Sequence, residues 1–113
     1  MTNYKTGHDA EKHAAKYLAS LGYKIHDLNW KTRFCEIDIV AEKSKTIYFV
    51  EVKYRKSSAF GSGLDYITPK KLNQMKFAAE MWVSSHDWKE DYQLAAIELT
   101  GPDFKVANYL TNL

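Results

Sequence analysis

The sequence predicts an α/β fold with the element order α-β-β-β-α-β-β. Three observations carry that expectation: an apolar stripe at helical spacing near the N-terminus, two neighbouring runs rich in β-branched and aromatic residues, and a Thr-Pro helix start at residues 68–69 with a second stripe behind it. A chain of 113 residues fits one compact domain over 1–113. No repeat or linker interrupts it.

The first helix is expected over residues 7–22, where Ala10, Ala14, Tyr17, Leu18 and Leu21 recur at spacings of three and four. Gly22 is placed to stop it. Glu11 stands beside this stripe, within reach of whatever the helix packs on. Residues 23–33 read as a loose strand, and residues 35–42 and 46–55 as two stronger ones. Lys43-Ser44-Lys45 suits a hairpin connection, although Ser-Lys is not a preferred two-residue turn and leaves a longer loop or bulge open. Residues 56–67, with serines and glycines, read as a loop, and Phe60, Gly61 and Gly63 as a candidate cover for a site. Thr68 supplies an N-cap and Pro69 a first-turn proline for a helix to about Ser85, with Leu72, Met75, Ala79 and Trp82 on one face. Residues 91–99 and 103–110 form the last strand pair around Gly101-Pro102, with few groups suited to catalysis.

Composition excludes several classes. One cysteine, Cys35, permits neither an internal disulfide nor a cysteine zinc cluster. No window reaches the roughly 20 apolar residues of a membrane span, and the opening residues lack the apolar stretch of a signal peptide. A cytoplasmic protein without membrane attachment is expected. The net charge of +2 does not announce a nucleic-acid partner. Two basic clusters, Lys53-Arg55-Lys56 and Lys70-Lys71-Lys76, read either as solvated faces or as phosphate ligands.

The hairpin concentrates the chemistry. With the turn centred on the Ser44–Lys45 bond, Asp38 falls opposite Glu51, Glu36 opposite Lys53 and Val40 opposite Phe49, all on one face. The other face, Ile37, Ile39, Ala41, Tyr48, Val50 and Val52, is apolar and belongs in the core. Opposed carboxylates with Cβ atoms about 5 Å apart repel, so one takes a proton or a cation sits between them. Oxygen ligands select magnesium or manganese over zinc. An ammonium at Lys53 suits a water or a phosphate beside such an ion, and Glu11 adds a third acid. The same residues also read as a salt-bridged ladder on a wet sheet face, and a one-residue slip would undo the pairing.

Several stretches together resemble the YraN family of nucleases, within the PD-(D/E)XK superfamily that includes archaeal Holliday junction resolvases. They are Gly7-His8-Asp9-Ala10-Glu11 with Ala14 and Tyr17-Leu18, Gly22-Tyr23 with Asn29, Glu36-Ile37-Asp38-Ile39-Val40-Ala41, Phe49-Val50-Glu51-Val52-Lys53 with Arg55, and Thr68-Pro69 with Lys71 and Ala78-Ala79. The resemblance implies a restriction-endonuclease-like fold, a central mixed five-stranded sheet flanked by helices. It implies Glu11, Asp38 and Glu51 as ligands for Mg2+ or Mn2+, Lys53 as the catalytic lysine, Glu36 in support, and Lys71 at the substrate edge. The expected activity is hydrolysis of phosphodiester bonds in DNA, with branched or damaged DNA as the substrate and a homodimer as the working unit. The alternative is a catalytically weak or inactive module of the same fold that holds phosphates with Arg55, Lys56, Lys70 and Lys71. Two departures bear on that choice: Cys35 stands where the family has glycine, and Asp91-Tyr92-Gln93 where it has Arg-Phe-Asp. The histidines, Cys35, Trp30, Trp82 and Trp88 read as structural or exposed residues.

Overall fold

The computed structural model describes residues 4–56 and 65–113, with side chains from Thr6 onward. The expectation for Phe60, Gly61 and Gly63 lies outside the described residues. The elements follow the expected order: α1 (Tyr4–Ser20), β1 (Lys24–Lys31), β2 (Glu36–Lys43), β3 (Thr46–Arg55), α2 (Pro69–His86), β4 (Asp91–Thr100) and β5 (Lys105–Thr111). The strands form one five-stranded sheet in the order β1-β2-β3-β4-β5. The sheet is mixed. Three neighbouring pairs are antiparallel and β3–β4 is parallel. A parallel pair requires a crossover, and α2 lies within it.

Local chemistry sets the boundaries. Gly22 takes a φ of +95°, and Tyr23 N–H closes onto the Leu18 carbonyl at 3.1 Å, so α1 ends in a left-handed cap. At the start of α2, Thr68 Oγ1 accepts the Lys71 N–H at 3.1 Å. The β2–β3 connection is the tight two-residue turn, not a longer loop. Ser44 and Lys45 both adopt positive φ, 54° and 62°, which matches the twist of the strands despite the unusual residue types.

The core has two layers, one on each face of the sheet. Ala10, Ala14 and Leu18 of α1 pack on Ile39, Ala41, Val50, Ala95, Ile97 and Leu99. Met75, Ala78, Ala79 and Trp82 of α2 pack on Ile37, Val40, Ile47, Phe49 and Leu94. Burial on both faces explains the nearly unbroken apolar run of β4. It also overturns the reading of a wet sheet face, because Val40 and Phe49, on the supposedly polar side, are fully covered by α2.

The aromatic residues set aside in the sequence are structural. Trp82 is buried, meets Phe49 edge-on at 5.6 Å, and donates its indole N–H to Asp27 at 3.0 Å. Its other face carries His86, stacked at 4.0 Å. Trp30 and Trp88 pack on the same cluster. Trp82→Ala should lower the free energy of unfolding by about 3–5 kcal/mol, measured by urea denaturation. A loss under 1 kcal/mol would mean that α2 is not held to the sheet by this ring.

Candidate active site

β2 and β3 pair in the expected register, from Lys43–Thr46 to Ile39–Val50. Beyond that pair a side chain takes over: Asp38 Oδ2 accepts the Val52 N–H at 2.8 Å. On the other side of β2, Asn29 sits between the pairs Leu28–Ile39 and Trp30–Ile37, and takes a φ of 55°. Left-handed backbone inside a strand breaks the alternation of faces. The alternation is broken on β2 as well, where Ile39 joins the α1 layer and Ile37 the α2 layer, although both were expected on one face. Asp38 is the residue at that break.

Three elements bring acids to it. Burial, and then the charge of Glu51, raise the Asp38 carboxyl to about 7; the Val52 N–H opposes this, while Glu11 and Glu36 add to it. Glu11, from α1, is itself raised, first by burial and against the pull of His8. His8, not His13, is the histidine beside Glu11, at 3.7 Å. His13 stacks on Phe104 instead. Glu51 faces α2, and Lys71 Nζ stands 2.8 Å from its Oε2.

Lys53 follows Glu51 on β3. Its ammonium lies 5.6 Å from the centre of the Tyr66 ring. Gly7, Glu11, Asp38, Val52 and Lys53 share a cleft of about 240 Å3 beside α1. On the α2 side, Glu51 and Lys71 stand at a larger groove of about 790 Å3.

Other expected residues are differently engaged. The strand ladder does not extend to a Glu36–Lys53 pair. Glu36 pairs across β1 with Lys31, at 4.0 Å, on the exposed edge. Arg55, read in the sequence as a phosphate ligand, has its guanidinium between acids: Nε contacts Glu98, and Nη2 stands 2.7 Å from Asp65. Lys56 is exposed, and Lys70 lies beside Lys71 on the larger groove.

Glu98 and Asn108 went unnoticed in the sequence. Glu98 is 3% exposed, and Asn108 Nδ2 donates to its second oxygen at 2.8 Å. The signal was present: Glu98 is the single charge in the apolar run Leu94–Leu99, in register with Lys53. Tyr66 was also missed. Its hydroxyl is buried with no hydrogen-bond partner among the described residues, and burial followed by the charge of Glu51 pushes its pKa up. Of the two departures, Cys35 contacts Thr32 in the β1–β2 turn, and Gln93 buries an Oε1 that has no partner among the described residues.

The donor set fits a hard divalent cation. It consists of carboxylates, and the charge of Glu51 raises the pKa of both Asp38 and Glu11, a repulsion that a cation would relieve. Among the described residues no three acids converge on one point, so an ion held by Asp38, Glu51 and Glu11 requires side-chain movement. The Lys71 ammonium balances Glu51 in this conformation.

The fold and site thus define an α/β protein with a mixed sheet, a half-buried aspartate at a parting of two strands, and a lysine on the neighbouring strand. Residues 10–101 match the uncharacterised protein family UPF0102. The chain is 45% identical over 83 residues to a UPF0102 protein of Syntrophomonas wolfei, covering 74% of this chain and 72% of the relative. It is 35% identical over 115 residues to one from Alkaliphilus oremlandii, covering 97% of each. With one from Vibrio vulnificus strain YJ016 it shares 32% over 111 residues, 93% of this chain and 91% of the relative. The chain belongs to the UPF0102 family, the YraN family that the sequence stretches resemble.

The raised Asp38 pKa sets a pH dependence. The folded state holds this proton to a higher pH than the unfolded chain does, so its stability contribution is lost as pH rises from about 4 through about 7. Asp38→Asn should match the wild type near pH 4. It should exceed the wild type by about 2–4 kcal/mol above pH 7 in chelator, measured by urea unfolding across pH. A constant difference across that range would remove Asp38 as the titrating group.

Proposed function

We propose that this protein is a Mg2+- or Mn2+-dependent endonuclease that hydrolyses phosphodiester bonds in DNA, acting on branched or damaged molecules. The observation that carries the reading is the half-buried Asp38 carboxylate, which feels Glu51 and Glu11 and accepts the Val52 N–H of the lysine strand Glu51-Val52-Lys53. A structural ion pair would need a cation in its own right. Lys71 answers Glu51 and Arg55 answers Glu98, whereas Asp38 is met by the Val52 backbone N–H.

A hard divalent cation, when bound, supplies Lewis acidity for in-line displacement at phosphorus. The chain's own groups do the rest. The Val52 N–H fixes one oxygen of Asp38 and so orients the carboxylate. The Lys53 ammonium stabilises charge developing on the phosphate oxygens and orients the attacking water. Arg55 acts as a positioning residue: by joining Glu98 of β4 to Asp65, it holds the end of β3 that presents Lys53. Lys71, which pairs with Glu51 here, would be free to meet a phosphate when Asp38, Glu51 and Glu11 hold an ion. A homodimer would supply two sites for two strands, by analogy with related enzymes.

Incubation with linear, single-stranded and branched DNA in Mg2+ or Mn2+ tests the activity. Asp38→Ala, Glu51→Ala and Lys53→Met should each reduce cleavage by at least about 100-fold. Unchanged cleavage by the acid variants would sink the assignment, and DNA binding that ignores both metal and these variants would leave a binding module. Calorimetric titration with Mn2+ isolates Lys71. Removing a partly exposed ion pair worth about 0–1 kcal/mol should tighten the ion in Lys71→Ala by up to about fivefold, and weaker binding would contradict its role as a competing cation.

A further inference from the structure

The groove on the α2 side has a composition that the metal chemistry does not require. It is lined in part by Phe34, Lys70, Lys71, Asn73, Gln74 and Phe77, and Glu51 is among its lining residues. Phe34 is 68% exposed and Phe77 47%. Neither ring is used by the core. Phe77 lies off the buried stripe Met75, Ala78, Ala79 and Trp82 of α2.

Phe34 is held out by a built turn. Thr32 Oγ1 accepts the N–H groups of Phe34 at 3.0 Å and Cys35 at 3.2 Å, and Thr32 N–H reaches the Cys35 carbonyl at 2.9 Å. The Arg33 guanidinium carbon stands 5.4 Å from the Phe34 ring centre. An aromatic ring fixed in solvent beside a cation is a poor way to stabilise a fold and a good platform for another flat, electron-rich ring.

We propose that this groove binds an unpaired DNA strand, with bases stacked on Phe34 and Phe77 and phosphates held by Lys70, Lys71 and Arg33. The position of the cut, though not the binding, rests on the nuclease reading. Four features select this occupant. Two exposed aromatic rings offer stacking faces; the basic side chains complement phosphates; Asn73 and Gln74 offer both donors and acceptors to base edges; and the volume of about 790 Å3 lies within the roughly 300–1,000 Å3 range of pockets that enclose small ligands. A duplex hides its base faces in its own stack, so only unpaired nucleotides can use the rings. The strand so held runs to Glu51 and Lys71, and the protein thereby selects flaps, gaps and the open arms of branched DNA over continuous duplex.

The test is fluorescence anisotropy of a labelled oligothymidylate and of a blunt hairpin duplex, in chelator so that nothing is cut. The wild type should prefer the single strand. Phe34→Ala and Phe77→Ala should each weaken it by about tenfold or more while leaving duplex binding unchanged. Phe34→Trp should retain affinity and Phe34→Leu should not, which separates stacking from simple apolar burial. Unaltered single-strand affinity in both alanine variants, or equal losses for strand and duplex, would overturn the proposal. So would a changed association state by sedimentation with no change in DNA binding, because the rings would then serve a second copy of the chain. The two readings fail separately. If Asp38→Ala abolishes cleavage but the phenylalanine variants bind normally, only the groove is wrong; if they lose the strand while no metal supports cleavage, only the nuclease reading is wrong.

Discussion

Asp38 takes the place of a strand partner. Where the β2–β3 ladder ends at Ile39–Val50, its carboxylate accepts the Val52 N–H, and the two strands part around it. A carboxylate in that position is expensive, because burial and neighbouring acids both oppose its charge. The fold tolerates it because both sheet faces are otherwise closed by apolar layers under α1 and α2. The left-handed Asn29 on β1 belongs to the same break, since regular alternation would have sent Ile37 to the α1 layer. Further register shifts lie between Ile25 and Asp27 on β1 and between Glu98 and Leu99 on β4.

A fully buried charge lies further along the sheet, on β4. Glu98 is enclosed in β4 and answered by Arg55 and Asn108. Buried ion pairs contribute little net stability, but breaking one strands a charge. The pair therefore acts as a tether between β3 and β4 more than as a source of stability. Asp65 extends the tether to the segment before α2 and brings Tyr66 against Lys53. Arg55 and Lys53 are neighbours in a basic cluster by sequence, yet one is committed to acids and the other is left beside the site.

The two helices divide the surroundings of the site. From α1 comes Glu11, with His8 beside it; from α2 come Lys71 on Glu51 and the groove that leads away past Phe77. Glu51 lines the groove on the α2 side, while Asp38 lines clefts on both sides of the sheet. Among the described residues no helix is long and apolar enough to cross a membrane.

Sequence alone determined the element order, the caps of both helices and the β2–β3 register. These depend on local periodicity and turn chemistry, which neighbouring residues carry. It also singled out Asp38, Glu51 and Lys53, because charged residues in apolar strands stand out without coordinates, and Glu11, because it stands beside the apolar stripe of α1. It did not determine what each charge does. Whether Arg55 meets a phosphate or Glu98, whether Glu36 meets Lys53 or Lys31, and whether Lys71 neutralises Glu51 depend on partners distant in the chain. The parallel β3–β4 pair creates the first of these contacts, and pairing between strands separated by a whole helix leaves no local trace. Tertiary structure also decided that Asp38 is half-buried among other acids, because closure by both helices and the approach of Glu51 and Glu11 arise only when the sheet is assembled.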